Sequence, residues 1–101
     1  MEDKAKMTIY IDGYRDFKKM INDYETGLSY YSEEKLNTLR RMIARLESPL
    51  DYMDERDRFI IYNELVLGKK GKWYLSYYSP SAYRVRRKEA YRIYLHLLEL
   101  Q

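Results

Sequence analysis

An all-α fold is predicted for the 101-residue chain: an N-terminal helical hairpin packed on a C-terminal helix-turn-helix, about five helices in all. Three observations predict it. Two segments repeat one apolar spacing, the 4 glycines and 2 prolines fall where helices would begin and end, and Ser79-Pro80 is a strong helix-start signal. The length suffices for one domain that buries a core without staples. Residues 1–50 read as the hairpin lead-in and 51–101 as the helix-turn-helix portion.

Met7-Thr8-Ile9-Tyr10-Ile11 is short, apolar and β-branched, and Asp12-Gly13 then breaks it. This segment is either a lone extended stretch packed on helices or a ragged helix start. Tyr14, Phe17, Ile21, Tyr24 and Leu28 follow at the spacing of an amphipathic helix, which Gly27 and Ser29 end. Ser32 then caps a second helix, with Glu33 and Glu34 in the first turn, where the helix dipole favours anions. Its stripe is Leu36, Leu39, Ile43, Leu46 and Leu50. The repeated pattern predicts an antiparallel hairpin.

Ser48-Pro49 is a stop followed by a fresh start. Asp51, Asp54, Glu55 and Asp57 crowd the beginning of a third helix, which runs through Phe59-Ile60-Ile61-Tyr62 to Leu65-Val66-Leu67. It is apolar on most sides and is expected to be the central, buried helix. Gly68 suits its C′ position, and Gly68-Lys69-Lys70-Gly71-Lys72 is a flexible basic loop. A short helix from Trp73 to Tyr77 or Tyr78 comes next. Ser79 then caps the last helix, with proline at its first position, and that helix runs to about Leu98. Tyr83, Ala90, Tyr94 and Leu97 are expected inward.

Charge divides the chain. Residues 1–67 hold 11 Lys+Arg against 14 Asp+Glu, a balance of −3, whereas residues 68–101 hold 8 against 2, or +6; together they give the net +3. A basic end on a small domain most commonly meets phosphate, because many weak cation contacts release condensed counterions together. The order of buried helix, basic loop, short helix, tight turn and capped basic helix is that of a helix-turn-helix, whose second helix enters the major groove of duplex DNA. Ser81, Arg84, Val85 and Lys88 share one face and form the expected groove-facing set. Arg86 and Arg87 lie off that face and are expected to clamp phosphates, together with Lys69, Lys70, Lys72, Tyr78 and Ser79.

The segment Trp73 … Tyr77-Tyr78-Ser79-Pro80-Ser81-Ala82-Tyr83-Arg84 … Arg87-Lys88-Glu89-Ala90-Tyr91 resembles the ArpU-like group. These are small phage-type transcriptional regulators of Gram-positive bacteria and mollicutes that look like the fourth, promoter-reading region of a sigma factor. The likeness lies in the Trp of the short helix, the Tyr-Ser-x-Ser turn, the aromatic early in the last helix, the Arg/Lys run and the following Ala. It covers roughly residues 54–98. One departure is Arg86, four residues before Ala90, where such a helix usually buries an aliphatic. Either the helix is rotated or Arg86 snorkels. The resemblance implies sequence-specific DNA binding and transcriptional control.

Other chemistry is poorly provided for. There is no cysteine, which excludes disulfides, thiolate zinc sites and cysteine nucleophiles, and fits a cytoplasmic protein. No apolar run is long enough to cross a membrane, and the charged first 25 residues do not read as a signal peptide. Gly68–Lys72 lacks the glycine spacing and the Ser/Thr of a phosphate loop. The acidic cluster at 51–57 lacks calcium-loop spacing and reads as helix-start acids. His96 has no catalytic partner, and Trp73 reads as a core anchor. No enzyme activity, cofactor or metal is expected. Two other partners come into view beside duplex DNA. A phage-encoded adaptor or inhibitor would dock its basic end on RNA polymerase, a host defence protein or another protein. A homodimer would follow if the apolar end formed by Tyr91, Tyr94, Leu95, Leu98 and Leu100 were left uncovered.

Overall fold

A computed structural model describes residues 2–101, and all regular structure among them is helical. Four α-helices carry the fold: α1 (Asp3–Glu25), α2 (Glu33–Glu47), α3 (Glu55–Ile61) and α4 (Pro80–Glu99). Single turns of tighter 3-10 helix occupy Ser48–Tyr52 and Trp73–Ser76, and α3 widens into a π-helical turn over Tyr62–Val66.

The first two helices form the expected hairpin, and of the two readings of Met7–Ile11 the helical one holds. Helix α1 is continuous from Asp3 and passes straight through Asp12-Gly13. The apolar stripe explains this: Met7 and Tyr14, two turns apart, are both buried, so Met7–Ile11 is the first half of the amphipathic face rather than a strand. Helix α1 ends at Glu25, and Leu28 lies beyond it, 77% exposed, instead of completing the stripe. Ser32 caps α2 as expected, its Oγ accepting from the Lys35 amide at 3.2 Å. Leu50, placed in the α2 stripe by spacing, is buried on the following 3-10 turn.

The third helix is the central one. Its cap is Asp54, whose carboxylate accepts from the Asp57 amide at 3.0 Å. Ile60 and Ile61 are fully buried, and α3 and its π turn are packed between α1 and α4. Burying each such side chain contributes about 1.5–3 kcal/mol. The connection before α3 is held by Arg58, which donates to the carbonyls of Leu50 at 2.8 Å and Met53 at 2.6 Å. Buried tyrosines also tie elements through their hydroxyls: Tyr14 donates to Glu47 and Tyr94 to the Leu46 carbonyl, each at 2.5 Å.

Helix α4 buries Tyr83, Ala90, Tyr91, Tyr94, Leu95 and Leu98, while Leu97 is only half-buried. The apolar C-terminal end is therefore covered within the chain by α1, α3 and the Ser48–Tyr52 turn, with Leu100 left exposed. That removes the reason for placing a dimer contact on these side chains. The short helix between loop and α4 is also corrected: it is one 3-10 turn, Trp73–Ser76, ending before Tyr77.

Candidate nucleic-acid interface

The start of α4 is built by local chemistry. Ser79 is extended (φ −69°, ψ 158°), its Oγ accepts from the Ala82 amide at 3.2 Å, and Pro80 occupies the first helical position. The preceding turn is closed by backbone hydrogen bonds from the Tyr77 and Tyr78 amides to the Tyr74 carbonyl, at 2.8 and 2.9 Å, and aromatic packing fixes it against α3 and α4. Tyr74 stacks on Tyr83 with centroids 3.7 Å apart and planes within 5°. Trp73 meets Tyr83 edge-on at 5.7 Å, and Phe59 of α3 meets Tyr77 edge-on at 4.9 Å. Much of the tyrosine excess in this half of the chain is used in this cluster, where the rings pack together.

On this support the residues expected to face the groove are all exposed: Ser81, Arg84, Val85 (69%) and Lys88. One turn further on, Arg92 is exposed too, and its guanidinium is held by Glu89 at 2.6 and 3.0 Å. Lys69, Lys70 and Lys72 are exposed on the loop, whose bends use positive φ at Gly68 (65°) and Gly71 (67°). The Lys69 ammonium lies 5.9 Å from the Trp73 ring centroid. Ser79 is exposed, with its hydroxyl engaged as the cap; Tyr78 is half-buried beside Tyr83.

Arg86 and Arg87, both expected to clamp phosphates, are placed differently from each other. Arg86 points to the interior side of α4, where its Nη2 meets Asp57 Oδ1 at 3.1 Å. The Asp57 side chain is 3% exposed, so this is a largely desolvated pair joining the start of α3 to α4. Burial and the neighbouring Asp54 push the Asp57 carboxyl up, and Arg86 pulls it back. The helix is thus not rotated: the position usual for an aliphatic holds an arginine with a buried partner. Arg87 is half-buried, with its guanidinium over the rings of Tyr83 at 5.3 Å and Tyr91 at 5.7 Å. That packing restricts the orientation of the guanidinium.

A second buried acid, which composition and spacing did not single out, lies behind Arg87. Glu64, on the π turn of α3, accepts a short hydrogen bond from the Tyr91 hydroxyl and one from the Trp73 indole at 3.2 Å. Burial raises its carboxyl above the ordinary range, while the two donors and the Arg87 charge draw it back. Glu64 thereby ties the central helix to both the short arm and α4. Among the described residues no group of three or more His, Cys, Asp or Glu is placed to hold a metal ion, and no helix is long and apolar enough to cross a membrane. Comparison with protein-family models, with curated proteins and with solved structures finds no match.

Proposed function

We propose that the chain is a small DNA-binding regulator of transcription of the phage type, acting in the cytoplasm, with α4 as the helix that enters the major groove. The observation that carries this reading is the outer face of α4. Ser81, Arg84, Val85 and Lys88 stand exposed on its capped N-terminal half, and Arg84 and Lys88 have no ion-pair partner among the described residues. Arg84 and Lys88 have the donors to read base edges, Val85 offers a methyl contact, and Lys69, Lys70 and Lys72 hold the flanking backbone.

An electrophoretic shift on duplex fragments at about 50 mM salt tests it. Binding is expected from the folded chain, and absence of a shift would sink the idea. Arg84→Ala is expected to relax sequence preference at a cost of about 1–3 kcal/mol, and Lys70→Ala to lower the salt slope by about one with preference unchanged.

A second reading, a phage-encoded adaptor or inhibitor that docks on a protein such as RNA polymerase, is favoured by the far end of the hairpin. There Leu28 is 77% and Tyr30 86% exposed. Retention of a host protein after nuclease treatment, with loss on Tyr30→Ser, would favour it over the first.

A further inference from the structure

The basic footprint is larger than the C-terminal segment that announces it in the sequence. Lys4, on the first turn of α1, borders a cleft shared with Arg84, Arg87 and Lys88 of α4, and Tyr91 also lines it. Its volume is about 310 Å³, room for a phosphate group and several waters at roughly 30 Å³ each. We infer that this cleft is a phosphate seat, built jointly by α1 and α4.

Three features support a seat rather than scattered surface charge. None of the four cations has an ion-pair partner among the described residues. Arg87 is packed on Tyr83 and Tyr91, so one donor of the cleft is oriented before any anion arrives. The flexible Lys4 and Lys88 then close on the anion from two different helices. Glu2 and Asp3 also border the cleft and oppose an anion, but four cations against two carboxylates leave an excess of two positive charges. Such an excess suits a phosphate with one or two negative charges.

The phosphate has two sources: the backbone of a bound nucleic acid or a free phosphate-bearing molecule. Only the first rests on the proposed DNA binding. In the first case Arg87 and Lys4 grip the backbone beside the groove, and Arg84 and Lys88 lie on the boundary between seat and groove face.

The test is amide chemical-shift titration of the full isotope-labelled chain with inorganic phosphate at constant ionic strength, and salt-dependent affinity for duplex DNA. Wild type is compared with Lys4→Ala and with Lys19→Ala, an equal charge change at an exposed site about 22 Å further along α1 at 1.5 Å per residue. For a backbone source, Lys4→Ala lowers the slope of log affinity against log salt by about 0.9 and Lys19→Ala leaves it unchanged. For a free source, inorganic phosphate saturates shifts at residues 4, 84, 87 and 88, and only Lys4→Ala weakens it. That second result upholds the seat even where duplex DNA is not bound, an outcome that removes the regulator reading alone. If Lys4→Ala and Lys19→Ala behave alike in both titrations, the seat is overturned. Duplex binding by the wild type then leaves the regulator reading standing. Silence in both titrations overturns both.

Discussion

Asp57 and Arg86 meet at 3.1 Å across 29 residues of sequence, and nothing local to either segment announces the contact. Asp57 reads as one of several helix-start acids and Arg86 as one of a run of cations; only the docking of α3 on α4 pairs them. Because the Asp57 side chain is almost wholly buried, removing its partner is far costlier than removing a surface ion pair. Arg86→Met is expected to destabilise by roughly 3–5 kcal/mol, and Asp57→Leu with Arg86→Met to recover most of that loss. Urea unfolding of the single and double variants checks this; additive losses would contradict it. Glu64 supplies a pH signature. Burial raises its carboxyl, so the folded chain binds that proton more tightly than the unfolded chain. Its contribution to stability is complete below the ordinary glutamate value and is lost as pH rises through the higher folded value. The stability of wild type relative to Glu64→Gln should therefore fall as pH rises from the ordinary glutamate range through the higher folded value. A pH-independent difference in unfolding free energy would rule this out.

At the scale of elements, local rules were reliable where the backbone itself was at stake. Ser32, Asp54 and Ser79 are caps because a side-chain oxygen next to free amides needs no distant partner. Ser79→Ala is expected to cost about 1 kcal/mol of stability, read by thermal unfolding. Gly13 shows where a local rule was overruled. A glycine in mid-helix weakens the helix, yet Met7 and Tyr14 bury the same face on either side of it and carry the helix through. A Cβ at Gly13 would meet only Phe17 Cε2, at 3.8 Å, so nothing requires glycine there. Gly13→Ala should stabilise by about 0.5–1 kcal/mol. Gly68→Ala, at φ +65°, should instead destabilise by about 1–2 kcal/mol. Calorimetry of the two variants should give melting shifts of opposite sign; shifts of the same sign would contradict the account. The short arm was legible as an element but not as a type. Trp73–Ser76 is one 3-10 turn packed against rings from α3 and α4, and those contacts are not local.

Across the whole molecule, 45 × 29 × 25 Å in extent, it is the start of α1 that borders the basic residues of α4. The outer face of α4 was legible in the sequence because 3.6-residue periodicity alone sorts Ser81, Arg84, Val85 and Lys88 from Tyr83, Ala90 and Tyr94. The flank was not: Arg86 turns inward to Asp57, Arg87 is packed between tyrosines, and Lys4 joins from the other end of the chain. Whether the outer face of α4 is where DNA is held can be measured directly by mapping amide chemical shifts of the labelled chain against a bound duplex at about 50 mM salt. Perturbations are expected on residues 79–92, on the loop at 68–72 and at the start of α1 around residue 4, with the hairpin end at 24–35 unmoved. Perturbations confined to the hairpin end, or none from a folded protein, would contradict it.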